Sequence, residues 1–216
     1  MGESRVRFLE QSLAMLGYTD SLRALDWMID EMCSEKGFSR HNGTHYYFHL
    51  VDTAQDLLNH GIKNQDVITA CILHDSVEDV DGITVKMIED KFGHNVAMMV
   101  YLVTKKEFLD YKDAKNMESY LIDILDNVGS CLIKTVDRKH NFSTLQDATA
   151  EKKLRQALET EKHFIPFFKE CRNKFPRYAG FFFSAKTTIE PHLWEIKEHY
   201  AEVAKLKEKL YTYENL

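Results

Sequence analysis

The chain of 216 residues has the size of one globular domain, with 44% hydrophobic, 29% charged and 12% aromatic residues. This aromatic content argues against disorder, and three prolines and nine glycines are few for a turn-rich all-β protein. A net charge of −6 argues against broad nucleic-acid binding, which requires a basic face. The four cysteines are widely spaced, which favours free thiols in a cytoplasmic protein over a disulfide framework. Since no apolar run reaches the ~18 residues of a membrane span, we expect a soluble protein without a membrane partner.

Apolar residues recur at helical spacing along the first half of the chain. This periodicity predicts helices over residues 4–16, 20–36, 46–60, 65–77, 84–92 and 94–104. The helix over 65–77 is nearly all apolar, so we expect it at the centre of the fold, with Asn64 as its N-cap. The charged and poorly patterned segment 105–115 predicts a loop or lid.

The second half of the chain is also helical in pattern. Further helices are predicted over residues 117–140, 150–175 and 185–212. A break is expected near Val128-Gly129 and a kink at Pro166. An apolar stripe from Leu193 to Leu210 is expected to dock on the protein's own core rather than on a partner. The prediction is one all-α domain over residues 1–216, with helices over 150–216 as a C-terminal extension.

Four side chains of metal-ligand type stand at helix positions along the chain. His49 lies one turn into a predicted helix, His74-Asp75 closes the apolar helix, and Asp137 comes much later. Two imidazoles and two carboxylates form a mixed ligand set that suits Mn²⁺, Fe²⁺ or Zn²⁺. Ionised Asp75 and Glu78 at the end of an apolar helix would be costly without a cation, which favours a metal site.

Each ligand candidate also has a simpler interpretation. A lone helical histidine such as His49 is more often a surface or hydrogen-bonded residue than a ligand. The pair His74-Asp75 occurs often by chance, and Asp137 is compatible with a solvated or capping carboxylate. The joint order His, His-Asp, Asp, with a buried helix behind the dipeptide, favours a helical metal phosphohydrolase.

This order resembles the HD superfamily of metal-dependent phosphohydrolases. More narrowly, the chain is similar to the hydrolase domain of the RelA/SpoT alarmone enzymes and their small stand-alone relatives, including the metazoan SpoT homologue. The similar stretches lie within about residues 35–145 and include RHNGTHYYFH (40–49), ACILHDSVED (70–79) and IKTVDRKHNFSTL (133–145). The resemblance implies an HD-domain helical bundle. The chain departs from the family at His41-Asn42, where Lys-Ser is usual, and at Leu50, where a Pro is usual.

The resemblance also implies roles for individual residues. The metal ligands would be His49, His74, Asp75 and Asp137, with one Mn²⁺ ion as the cofactor. The acidic pair Glu78 and Asp79 would position and activate the attacking water as the catalytic groups.

Residues for the substrate come from the resemblance and from charge. By resemblance, Arg40 would pack on guanine, His41 would be a second basic group, and Asn141 and Thr144 would contact the nucleotide. Lys134 and Arg138 are basic candidates that would offset phosphate charge, although a solvated helix face explains them as well.

The function implied by the resemblance is hydrolysis of the 3′-pyrophosphate of ppGpp or pppGpp, the alarmones of the stringent response, giving GDP or GTP and pyrophosphate. The partner would be this small-molecule nucleotide. An alternative is the same chemistry on another nucleotide, such as the 2′-phosphate of NADPH or a deoxynucleotide. A non-catalytic nucleotide-binding module is a further alternative, disfavoured because the ligands and the acidic pair are all present.

Overall fold

A computed structural model of the protein describes residues 2–40 and 43–214. Within these residues the predicted all-α class is confirmed, and the only pairing of β type is an isolated bridge between Ser39 and His45. The helices of the described residues are α1 (Gly2–Leu16), α2 (Thr19–Glu31), α3 (Tyr47–Asn59), α4 (Gln65–Leu73), α5 (Ser76–Asp79), α6 (Val85–Phe92), α7 (His94–Val103), α8 (Ala114–Leu125), α9 (Val128–Ser143), α10 (Ala150–Glu159), α11 (Ile165–Lys174) and α12 (Ala179–Glu214). None of these helices is both long and apolar enough to cross a membrane.

The chain divides by its internal contacts into two compact units, Met1–His140 and Asn141–Leu216. The prediction of a single domain over the whole chain therefore stays a prediction, and each unit is described by itself.

Helix α4 forms the centre of the first unit. Every residue from Val67 to Leu73 is buried, and α4 packs against α2, α3 and α7. Asn64 caps the helix as predicted, because its side chain accepts a hydrogen bond from the backbone N–H of Val67 at 3.2 Å. An apolar helix buried on all sides provides a rigid base for the polar residues that follow it.

The predicted helix over 65–77 is interrupted at its polar end. Helix α4 stops at Leu73, and the single turn α5 begins at Ser76. The Ser76 hydroxyl donates to the Leu73 carbonyl at 2.6 Å, and His74 Nδ1 donates to the Cys71 carbonyl at 2.7 Å. These side chains satisfy carbonyls that a continuing helix would use, which explains the break between α4 and α5.

Two predicted interruptions of the first unit are present. Residues 104–113 form the connection between α7 and α8 without a helix, as predicted for 105–115. Helix α8 ends at Leu125 and α9 begins at Val128, where the Asn127 side chain accepts from the backbone N–H of Ser130 at 3.0 Å. An asparagine cap therefore accounts for the break.

The second unit is helical and has a phenylalanine-rich core. The rings of the buried Phe164, Phe167 and Phe168 lie 6.1–6.4 Å from one another, measured between their centres. Phe182 is also buried, on α12, which packs against α11. The kink predicted at Pro166 takes the form of a π-helical turn over Thr160–Phe164, because a proline lacks the N–H that the preceding turn requires. The predicted apolar stripe docks only in its first part, since Leu193 is buried whereas Leu206 is 64% exposed.

Candidate metal centre and active site

Three segments of the first unit bring the four predicted metal ligands together. His49 is in the first turn of α3, His74 and Asp75 connect α4 to α5, and Asp137 is near the middle of α9. Because α3 packs directly on α4, the two imidazoles face each other across these helices. His49, His74 and Asp137 are buried.

The ligand atoms of His49, His74 and Asp75 form a compact group, and Asp137 lies against the two imidazoles. His49 Nε2 lies 3.3 Å from His74 Nε2, and Asp75 Oδ2 lies 3.1 Å from His74 Nε2 and 3.6 Å from His49 Nε2. Asp137 Oδ1 lies 3.4 Å from His49 Nε2 and 3.8 Å from His74 Nε2. Ligand atoms held at about 2.1 Å from a shared ion stand roughly 3.0 to 4.2 Å from one another, from adjacent to opposite positions, so these distances are compatible with one divalent metal ion.

The charges of the cluster also fit a cation. Burial lowers the pKa of His49 to about 4, so its imidazole is neutral. Burial also opposes the charged form of His74, but the attraction of Asp75 and Asp137 outweighs it and raises the pKa of His74 well above its usual value. The carboxylates of Asp75 and Asp137 therefore attract positive charge to this point, which is what a divalent ion supplies.

Partners around the ligands set their orientation. His74 Nδ1 donates a hydrogen bond to the Cys71 carbonyl, so Nε2 is the ring nitrogen that faces the cluster, and a bound metal ion would replace the proton on it. The Tyr46 hydroxyl donates to Asp75 Oδ2 at 2.8 Å. Burial raises the pKa of Asp75, but the charge of His74 outweighs burial and lowers it to about 2. Asp75 therefore stays ionised.

Lys134 forms an ion pair with Oδ2 of Asp137, whose other carboxylate oxygen contacts the two histidines. Its Nζ is 3.0 Å from Asp137 Oδ2, and both side chains are only 9% exposed. Burial raises the pKa of Asp137, but the Lys134 charge and the histidine hydrogen bonds outweigh burial and hold it well below its usual value. The predicted substrate cation is thus engaged with a predicted metal ligand.

The acidic pair follows the ligands on α5. Glu78 Oε2 accepts a hydrogen bond from the backbone N–H of Lys105 at 3.0 Å, so the 104–113 loop is joined to this residue. The pKa of Asp79 is raised to about 6, because neighbouring protein displaces water from its carboxyl group and Asp75 and Glu78 repel a further negative charge. The charges of Asp75 and Glu78 therefore act directly on the carboxyl group of Asp79.

Arg40 is connected to the cluster through Tyr46. Its guanidinium lies 5.5 Å from the centre of the Tyr46 ring, and the hydroxyl of that ring is bonded to Asp75. The Arg40 backbone N–H donates to the Thr44 carbonyl at 2.8 Å, which closes the turn around positive-φ Gly43. The structure thereby brings Arg40 to the edge of the candidate metal centre.

The remaining substrate candidates have different positions. His41 lies outside the described residues. Arg138 is buried, on the helix that carries Asp137. Asn141 and Thr144 belong to the second unit, where the Thr144 hydroxyl is 3.4 Å from the Asn141 carbonyl.

Sequence reasoning missed the support that two side chains give to the ligands. Tyr46 stands three residues before His49, so a helical count could have placed its hydroxyl on the ligand side. The pairing of Lys134 with Asp137 was missed, although a lysine three residues before a carboxylate in one helix is a recognisable signal.

Several curated proteins are similar in sequence to part of this chain. The chain is 33% identical over 129 residues to the guanosine-3′,5′-bis(diphosphate) 3′-pyrophosphohydrolase of Aquifex aeolicus, covering 59% of this chain and 18% of that protein. It is 30% identical over 138 residues to the bifunctional (p)ppGpp synthase/hydrolase SpoT of Escherichia coli, covering 62% of this chain and 19% of that protein. The putative chloroplastic GTP diphosphokinase RSH1 of rice is 30% identical over 148 residues, covering 63% of this chain and 16% of that protein. The chain thus spans less than a fifth of the length of these curated relatives.

A solved structure shares the fold. It is that of a metazoan ortholog of SpoT described as hydrolysing ppGpp, with a TM-score of 0.57 and 20% identity over 84% of this chain and 96% of that one. The sequence pattern of the HD domain matches residues 24–169, a segment that contains all four candidate ligands. Because this match covers well over half of the chain and agrees with the fold and the cluster, the protein belongs to the HD-domain family.

Proposed function

We propose that this protein is a metal-dependent hydrolase that removes the 3′-pyrophosphate of ppGpp or pppGpp, releasing pyrophosphate and GDP or GTP. The observation that carries the proposal is the cluster of His49, His74 and Asp75, whose ligand atoms lie 3.1–3.6 Å from one another, with Asp137 Oδ1 at 3.4 and 3.8 Å from the two imidazoles. The choice of substrate is supported by the names of relatives that are 30–33% identical over about 60% of this chain.

The proposed cofactor is one Mn²⁺ ion held by these four residues. When bound, the ion supplies Lewis-acid chemistry, because it lowers the pKa of a water and polarises a phosphoryl oxygen. Lys134 holds the far oxygen of Asp137 and the Tyr46 hydroxyl holds Asp75, so both carboxylates keep one orientation during the reaction.

The acidic pair is proposed to handle the proton of the attacking water. Glu78 and Asp79 follow Asp75 by three and four residues, which directs them to the side of the cluster. One oxygen of Glu78 is used by the Lys105 N–H, and the other is available for the water. Asp79 has no such bond to the loop among the contacts of the described residues, and we assign it a share in proton transfer.

Substrate binding is proposed to begin at Arg40. A guanidinium that rests near one aromatic ring can also stack on a purine, and Arg40 stands at the edge of the cluster through Tyr46. His41, Arg138, Asn141 and Thr144 remain proposed contacts to the nucleotide. The geometry favours a different role for Lys134, which is to compensate Asp137.

A panel of nucleotides tests the proposed substrate. The full chain with Mn²⁺ is incubated with ppGpp, pppGpp, NADPH and a deoxynucleoside triphosphate, and the released pyrophosphate and phosphate are quantified. We expect pyrophosphate from the first two only, with loss of the activity in EDTA. Turnover of NADPH or the deoxynucleotide but not of ppGpp would contradict the proposed substrate and would leave the proposed metal site in place. Tight binding of ppGpp without turnover would support a binding module instead.

A further inference from the structure

A chain of hydrogen bonds leads away from the metal centre at His49. Its Nδ1, on the far side of the ring from the cluster, lies 2.8 Å from Nδ1 of His140. Nε2 of His140 lies 3.2 Å from Asp52 Oδ2, and Arg5 Nη1 lies 2.6 Å from the same oxygen. The four side chains form a continuous connection from a buried ligand to α1, where Arg5 is 43% exposed.

One assignment of protons satisfies every bond of this chain. A histidine that binds a metal through Nε2 carries its proton on Nδ1, so His49 donates to His140 Nδ1. His140 then carries its own proton on Nε2 and donates to Asp52. Arg5 donates to the same carboxylate, which therefore receives two bonds and keeps its charge. The opposite tautomer of His49 would place a proton on the atom that faces the metal.

The connection uses residues of both α3 and α9, the two helices that carry His49 and Asp137. Asp52 follows His49 by three residues on α3, while His140 follows Asp137 by three residues on α9. Arg5 also lies 5.1 Å from the centre of the Phe48 ring, which fixes the guanidinium on the same part of α3. Helix α1 is outside residues 24–169, the segment matched by the HD-domain pattern.

We propose that His140 and Asp52 are positioning residues for the metal ion, because they fix the tautomer and the ring orientation of His49, and that Arg5 supports them from α1. The inference rests on the proposed metal site but not on the proposed substrate. Partners of this kind commonly change metal affinity by about 10- to 100-fold when they are removed, because the ligand must otherwise be oriented during binding.

The chain itself offers a matched control. Asp56 is one turn further along α3 than Asp52 and pairs with Lys139, the neighbour of His140, at 2.9 Å. Asp56→Asn therefore removes a negative charge from the same helix, at a contact with the same neighbouring helix, and leaves the connection to His49 intact. Asp52→Asn keeps the volume of the side chain but removes the negative charge that accepts the hydrogen bond from His140.

The test measures Mn²⁺ affinity by titration calorimetry, without substrate, and the His49 tautomer by long-range ¹H–¹⁵N NMR with diamagnetic Zn²⁺ in place of the paramagnetic Mn²⁺. We expect binding to weaken by about 10- to 100-fold in His140→Ala and by about 10-fold in Asp52→Asn. Asp56→Asn should stay within about twofold, and Arg5→Gln should lose at most about fivefold because its ion pair is partly exposed. The Nδ1–H form of His49 should dominate in the unaltered protein and lose its dominance in His140→Ala.

A conservative variant separates positioning from packing. His140→Asn keeps an acceptor oxygen near the place of Nδ1, so it should bind Mn²⁺ more tightly than His140→Ala. Equal affinities for these two variants would contradict the inference, as would equal affinities for Asp52→Asn and Asp56→Asn. If His140→Ala fails to fold, the comparison of the two aspartate variants decides alone. Absence of Mn²⁺ binding in the unaltered protein would instead overturn the proposed metal site.

Discussion

Replacement of Lys134 by methionine tests whether this lysine supports Asp137 or binds the substrate. The Lys134 Nζ lies 3.0 Å from Asp137 Oδ2 with both side chains 9% exposed, so the variant leaves a buried carboxylate without its cation. Coulomb's law gives about 5–6 kcal/mol for charges at this distance at an effective dielectric constant of about 20. Measured losses on breaking a buried pair are about 3–5 kcal/mol, and we expect a similar loss in free energy of unfolding.

The assay is urea unfolding of the first unit in EDTA. Trp27 of α2 reports on this unit, and Trp194→Phe removes the other of the two tryptophans. Adding Mn²⁺ should reduce the loss, because a bound cation compensates Asp137 in place of the lysine. The double variant Lys134→Met with Asp137→Asn should recover part of the stability in EDTA, since no buried charge remains unpaired.

The competing expectation is that Lys134 mainly offsets phosphate charge on the substrate. In that case Lys134→Met would change the stability in EDTA by less than about 1 kcal/mol, as surface substitutions do, and would mainly raise KM. That result would refute the role inferred from the geometry.

Three further predictions concern the acidic pair, the Asp75 hydroxyl partner and the close packing of α9. Glu78→Gln keeps an oxygen for the Lys105 N–H but cannot accept the proton, so kcat should fall by about 10²- to 10⁴-fold with little change in protease cleavage of the 104–113 loop. Glu78→Ala should lower kcat and also increase cleavage of this loop. Equal cleavage of the two variants would contradict the loop contact. Tyr46→Phe removes the donor to Asp75 and should weaken Mn²⁺ binding in calorimetry by about 10-fold, and unchanged affinity would show that this hydroxyl does not orient the ligand. Gly129→Ala should lower the free energy of unfolding of the first unit by roughly 1–3 kcal/mol, because its new methyl group would overlap Met99 and stand 3.2 Å from Val67. Gly180→Ala, which meets open space, is the control, and equal effects of the two substitutions would contradict the packing argument.

Periodicity and helix signals predicted most of the fold. The helix class, the break near Val128 and the loop after α7 follow from local patterns, and the structure contains all three. The break between α4 and α5 was not predicted, because it depends on the side chains of His74 and Ser76 competing for helix carbonyls rather than on a proline or glycine. The start of α12 at Ala179 was also missed, since the buried Phe182 is held by tertiary packing that periodicity alone does not reveal.

In the candidate site, residue types could be predicted from the sequence, whereas most of their surroundings could not. The order of His49, His74-Asp75 and Asp137 predicted four ligands, and residue chemistry suffices for that prediction. The partners of His49 beyond its own helix could not be predicted, because they come from distant segments. The carboxylate of Asp52 reaches His140 across 88 residues of sequence, and only the packed helices bring the two together.

The central claim is that the four converging ligands support hydrolysis of the 3′-pyrophosphate. The most direct measurement is ³¹P NMR of ppGpp incubated with the full chain and Mn²⁺, in parallel with Asp137→Asn. The account predicts GDP and pyrophosphate in equal amounts for the unaltered protein, and unchanged ppGpp for the variant, which loses one ligand of the cluster. Intact ppGpp in both samples, or equal turnover by the protein and by Asp137→Asn, would contradict it.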